Sequence, residues 1–111
     1  MNIITRLEEA ILIAIWRLGD DAYGLNINQR VSRLLKKNYS LGALYFSLDQ
    51  LRRKGLAEKT VKNHYREKGG RSRTYYQLTD HGEVALAEVR DYQESLWAGI
   101  PQTAFEGETS K

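Results

Sequence analysis

The chain has no cysteine, one proline and one methionine among its 111 residues. Without cysteine there are no disulfides, thiolate zinc sites, thiol redox sensors or cysteine nucleophiles. The lone proline, Pro101, falls where the last helix is expected to end. Long apolar runs are missing too. The longest, Ala10 to Trp16, is too short to span a bilayer, and acidic Glu8 and Glu9 precede it where a signal peptide is basic. The expectation is a cytoplasmic protein with no membrane partner. Histidine is scarce: His64 and His81 stand 17 positions apart, outside any zinc-ligand spacing. No nucleophile elbow, phosphate loop or paired-carboxylate motif is seen, so neither catalysis nor a metal or cofactor is expected.

What is present suits one soluble domain. A chain of 12.8 kDa with 41% hydrophobic and 28% charged residues has ordinary globular composition. At this size folding buries about 65% of the unfolded surface, so a core forms without covalent staples.

The net charge of +3 conceals a sharp asymmetry. Residues 1–50 carry six basic and five acidic side chains, residues 51–75 nine and two, and residues 76–111 two and seven. A local charge of +7 followed by an acidic C-terminus is the electrostatic footprint of a polyanion partner. A solvated basic face has the same composition, so the arrangement of elements must decide.

Leu7, Ala10, Ile11, Ala14, Ile15 and Leu18 recur at helical spacing and predict a first helix over about 5–18, stopped by Gly19. Leu12 and Trp16 extend its apolar surface onto a neighbouring face, which suggests a second packing partner. Asp20 and Asp21 offer caps for a second helix over about 23–37. Its stripe is Ile27, Val31 and Leu34, with Leu35 alongside. Ser40 caps a third helix that ends before Gly55 and buries Leu44, Leu48 and Leu51, with Leu41 at the edge. Its opposite side holds Gly42, Ala43, Phe46, Asp49, Gln50 and Arg53.

After Gly55 the period changes to two. Leu56 to Asn63 and Thr74 to Leu78 read as strands around a hairpin tip, Tyr65 to Arg73, with two turn glycines and four cations. Thr79 caps a last helix over about 80–98 with a seam of Ala85, Val89, Tyr92 and Leu96, and Trp97 alongside. Three helices followed by a basic-tipped hairpin is the order of a winged helix-turn-helix, a mainly α fold with a small β-hairpin (α+β). There the third helix enters the major groove of double-stranded DNA and the wing meets backbone or minor groove.

The residue types fit that use. Gly42 and Ala43 allow close backbone approach, Phe46 can meet a thymine methyl, and Gln50 can read an adenine edge. Ser40, Tyr45, Ser47, Lys54, Lys68, Arg71, Arg73 and the Gly69–Gly70 amides suit phosphate and neighbouring contacts. Structural roles remain open beside these: Gly42 relieving crowding against helix two, Phe46 buried under the wing, Tyr45 at the core edge.

Two runs carry a family resemblance. Ser40-Leu41-Gly42-Ala43-Leu44-Tyr45, with Leu48, Leu51, Arg52 and Gly55-Leu56, resembles the third-helix signature of PadR-type transcriptional regulators. Gly69-Gly70-Arg71-Ser72-Arg73-Thr74-Tyr75-Tyr76-Gln77-Leu78-Thr79-Asp80-His81-Gly82 resembles that family's wing and its exit into a dimerisation helix. The likeness extends from Ala10 to Trp97. Leu25 stands where the family commonly has a phosphate-binding tyrosine, which makes Tyr23 the substitute candidate.

The resemblance implies a DNA-binding transcriptional repressor of the short subfamily, acting as a homodimer. Residues 1–78 would form the winged-helix DNA-binding domain, 79–100 the dimerisation helix and 101–111 a disordered tail. Leu12, Trp16, Ala85, Val89, Tyr92, Leu96 and Trp97 are the expected dimer interface. Some short relatives bind flat aromatic molecules between facing tryptophans, which makes Trp16, Tyr92 and Trp97 candidate contacts for a small-molecule effector, against plain interface packing. The alternative function is a winged helix used for protein or RNA contact.

Overall fold

The computed structural model describes residues 4–63 and 72–106. Helix α1 is Arg6–Leu18, followed by a 3-10 turn at Gly19–Asp21; α2 is Gly24–Leu35 and α3 is Leu41–Arg53. Strands β1, Ala57–Asn63, and β2, Ser72–Leu78, pair antiparallel before α4, Asp80–Trp97. This is the expected α+β winged helix. No helix among the described residues is long and apolar enough to cross a membrane.

Side-chain caps set three helix starts. Thr5 and Glu8 form a reciprocal capping box on α1, Ser40 Oγ accepts from the Ala43 N–H at 3.1 Å, and Thr79 Oγ1 accepts from the Gly82 N–H at 3.0 Å. Helix α2 starts differently. Asp20 and Asp21, the expected caps, lie in the 3-10 turn, and Tyr23 precedes the helix with no side-chain cap bond. The reason is that residues 22–23 serve the sheet: the Tyr76 N–H donates to the Ala22 carbonyl at 2.8 Å, and Tyr23 bridges to Tyr75. The end of α2 also comes earlier than expected, because Lys36 takes a left-handed conformation and its N–H returns to the Ser32 carbonyl.

Ile11, Leu12, Ile15, Ile27, Val31, Leu44, Leu48, Leu51 and Leu56 make the core. Three expectations are corrected here. Leu12, assigned to a spare face of α1, is fully buried in this core. Ala85, assigned to the α4 seam, is also buried within the chain. Conversely, Leu34 is 45% exposed, and Leu35 takes its place against the core. A helical wheel ranks angles on one helix; it does not say which neighbour is wide enough to cover them.

The ends of α3 and α4 are knitted together. Gly55 adopts φ +77°, the Gly55 N–H bonds to the Arg52 carbonyl and the Leu56 N–H to the Leu51 carbonyl, the two bonds of a Schellman stop. Thr79 then donates its hydroxyl to the Gly55 carbonyl and its N–H to that of Leu56. The first turn of α4 is fixed to the end of α3 in this way, while every residue from Asp91 to Ile100 is exposed. Past α4 the chain was expected to be a disordered tail. Its described part makes turns over 102–106, with Phe105 edge-on to Trp97 at 6.1 Å.

Candidate nucleic-acid interface

Helix α3 presents Gly42, Ala43, Tyr45 and Phe46 to solvent, with Ser47 and Gln50 partly exposed beside them. Phe46 is 67% exposed, so it is not buried under the wing. A Cβ built on Gly42 would meet only Ser40 Oγ, at 4.0 Å, so among the described residues no neighbouring element crowds this position. Both structural explanations therefore lose their basis, and the small start of α3 is left facing outward. Ser40 spends an acceptor on its cap, but its hydroxyl proton remains available to a phosphate oxygen.

Tyr45 is half exposed, and its hydroxyl lies against Gly24, where a Cβ would come within 2.0 Å of the phenol oxygen. The beginning of α2 and the outer face of α3 are thus in direct contact. The core side of the wing is marked by Tyr76, whose phenol is pushed up by burial, with a smaller contribution from Tyr45.

The basic end of α3 is partly neutralised. Asp49 accepts from Arg52 Nη2 at 2.7 Å and Arg53 Nε at 2.9 Å. The Arg52 hydrogen bond is the largest cause holding the Asp49 carboxyl below its ordinary range. The spacing of one carboxylate three and four residues before two arginines carries this signal in the sequence.

Lys54, expected from the sequence to meet phosphate, is paired within the chain. Its Nζ lies 3.0 Å from both carboxylate oxygens of Glu8, whose side chain is only 7% exposed. The ammonium is committed to pinning the end of α3 to the start of α1. No local pattern connects two residues 46 positions apart, so the sequence carried no signal for the pair.

At the wing, Arg73 lies with its guanidinium 4.3 Å from the centre of the Tyr23 ring. Tyr23 meets Tyr75 edge to face at 5.5 Å, and Lys62 Nζ stands 4.6 Å from the centre of the Tyr75 ring. Lys62 had not been singled out from the sequence; its position opposite Arg73 in the strand register is the signal that was available. Lys68, Gly69, Gly70 and Arg71 lie outside the described residues.

Of the residues assigned to the dimer interface, Trp16, Tyr92, Leu96 and Trp97 are exposed and Val89 is half-buried. Trp16 lines a groove of about 390 Å³ between α1 and α4 with Glu9, Ile13, Leu86 and Arg90, but Tyr92 and Trp97 are not on its walls. One chain does not bring the three candidate effector aromatics together.

Comparison with known proteins agrees with this geometry. The model of the transcriptional regulator PadR-like family matches residues 11–88. Among solved structures, a PadR-like transcription factor from Bacteroides fragilis is 27% identical, with TM-score 0.65, over 81% of this chain and 82% of that one. A PadR-like regulator from Bacillus cereus is 25% identical, with TM-score 0.67, over 95% and 93%. RosR of H. salinarum is 27% identical, with TM-score 0.64, over 96% and 88%. No curated protein matched. With the family model spanning more than half of a chain that carries the winged helix and an outward-facing α3, the chain belongs to the PadR-like family of DNA-binding transcriptional regulators.

Proposed function

We propose that this regulator is a sequence-specific homodimeric repressor, reading each half-site with the outer face of α3 and holding the backbone with the wing. The observation that carries the reading is Gly42. It is open to solvent, crowded by no neighbouring element among the described residues, and flanked by exposed Ala43, Tyr45 and Phe46. A helix start kept small with nothing of its own to avoid suits close approach of a duplex.

Gly42→Ala tests this with two opposite expected signs. Alanine stabilises a helix interior by about 0.5–1 kcal/mol relative to glycine. The added methyl on a close-fitting face should cost roughly 1–3 kcal/mol, so cognate DNA should bind about tenfold more weakly. Thermal melting and fluorescence anisotropy read the two effects separately. Equal affinity for the selected site in both proteins counts against α3 as the reader.

The dimer is supported by the exposed second half of α4 and by Trp16. Leu96, 58% exposed, is repeated by symmetry in a two-fold pair, so Leu96→Asp enters twice. Sedimentation should show the substituted chain as a monomer, with operator binding no longer cooperative and random-duplex binding retained. A wild type that is monomeric at micromolar concentration sinks this part. Half-sites are expected about one helical turn (~10 bp) apart. Repression follows from such a dimer covering two successive grooves. Residues 1–78 then serve as the DNA-reading unit and 79–100 as the dimerising helix, with the start of α4 anchored in the former. A planar aromatic effector, bound where Trp16, Tyr92 and Trp97 of two copies converge, would release DNA by changing the separation of the α3 helices.

A further inference from the structure

We propose that Lys62 and Arg73 form a phosphate clamp at the base of the wing, held in place by Tyr75 and Tyr23. The inference rests on the reading of the protein as a duplex-DNA binder and extends it to a residue, Lys62, and a positioning pair of tyrosines.

The strand register sets Lys62 directly opposite Arg73, so the two cations share one face of the hairpin. Like charges facing each other across a strand pair are unfavourable. Among the described residues neither cation forms an ion pair. Each lies over a tyrosine ring instead: Arg73 at 4.3 Å on Tyr23, Lys62 at 4.6 Å on Tyr75. The difference between the two kinds of partner matters for function. A carboxylate fixes a cation by cancelling its charge, as Asp49 does for Arg52 and Arg53. An aromatic face fixes a cation through its quadrupole and leaves the full charge to be felt by an anion.

The rings are fixed in their turn. Tyr23 and Tyr75 pack edge to face, their backbones form a bridge, and the Tyr76 N–H bonds to the Ala22 carbonyl. The residue after Tyr23 is Gly24, against which the Tyr45 hydroxyl of α3 rests. The two cations are therefore anchored to the same short segment that touches the outer face of α3. This fixes their distance from the recognition helix while leaving their charge for the backbone phosphates next to the groove that α3 enters.

Binding of the full chain to a random-sequence duplex, measured against salt concentration, tests the clamp. Lys62→Ala should lower the salt slope by about 0.9, the value for one lost phosphate contact, and weaken cognate and random duplex by the same factor. Tyr75→Leu keeps every charge yet should weaken random-duplex binding several-fold, and Tyr75→Phe, which restores a ring, should recover it. Circular dichroism and thermal melting of each variant identify any loss that comes from unfolding, and Lys62→Ala, at an exposed strand position, gives the answer if Tyr75→Leu does not fold. An unchanged slope in folded Lys62→Ala overturns the clamp and leaves DNA binding intact. Failure of the wild type to bind any duplex at low salt overturns both.

Discussion

Gly82→Ala is expected to melt roughly 10–20 °C below the unsubstituted chain, a loss of about 2–3 kcal/mol for a domain of this size. A Cβ at this position would lie 2.0 Å from the Leu56 carbonyl oxygen and 3.0 Å from its carbon. The obstacle is backbone, and that backbone is held from both sides. The Leu56 N–H closes the end of α3 on the Leu51 carbonyl, and the Leu56 carbonyl accepts the Thr79 N–H at 3.2 Å. Relief requires α4 to back away, which breaks the Thr79 junction. Alanine's better helix propensity returns about 1 kcal/mol at most and does not offset the clash. In the proposed dimer the consequence would reach DNA, because α4 would carry the dimer surface and its angle to α3 would set the half-site separation. Gly82→Ala at low temperature should therefore bind operator less tightly than random-duplex affinity alone accounts for. A melting temperature equal to wild type refutes the close packing of α4 on Leu56.

Much of this fold was legible in the sequence because its signals are local. Ser40, Gly55 and Thr79 each announce a helix boundary by chemistry that acts within four residues, and all three do so in the structure. The change of period after Gly55 marks the wing in the same way. Gly82 was legible only as part of a family motif; the carbonyl it must clear lies 26 positions earlier at Leu56. The misreadings share that origin. Asp20 and Asp21 look like caps, but a backbone bond from Tyr76 claims the segment between them and α2. Leu12 and Ala85 sit on faces that a wheel leaves free and that neighbouring elements cover. In the candidate interface, the exposure of Gly42, Ala43 and Phe46 needed only the orientation of α3, whereas the partners of Lys54, Lys62 and Arg73 depend on tertiary contacts.

Lys54→Met is expected to cost about 3 kcal/mol of stability while leaving the salt dependence of DNA binding unchanged. Removing the ammonium strands the Glu8 carboxylate, which is 7% exposed and, among the described residues, otherwise accepts the Thr5 N–H of the capping box. The value lies at the low end for a broken buried pair, because the Lys54 side chain is 34% exposed and water reaches the site. Glu8→Gln with Lys54→Met removes both charges and keeps the capping geometry, since glutamine serves at this box position as glutamate does. The double variant should therefore be more stable than Lys54→Met alone, a non-additivity that a double-mutant cycle in urea reads directly. A neighbouring lysine in a basic segment is ordinarily assigned to phosphate, and that assignment makes a different forecast. If Lys54 met DNA, Lys54→Met would lower the salt slope by about 0.9 at temperatures where the protein is folded. The charge already spent on Glu8 argues that it will not, so the slope should separate Lys54, which stitches α3 to α1, from Lys62, the proposed phosphate contact.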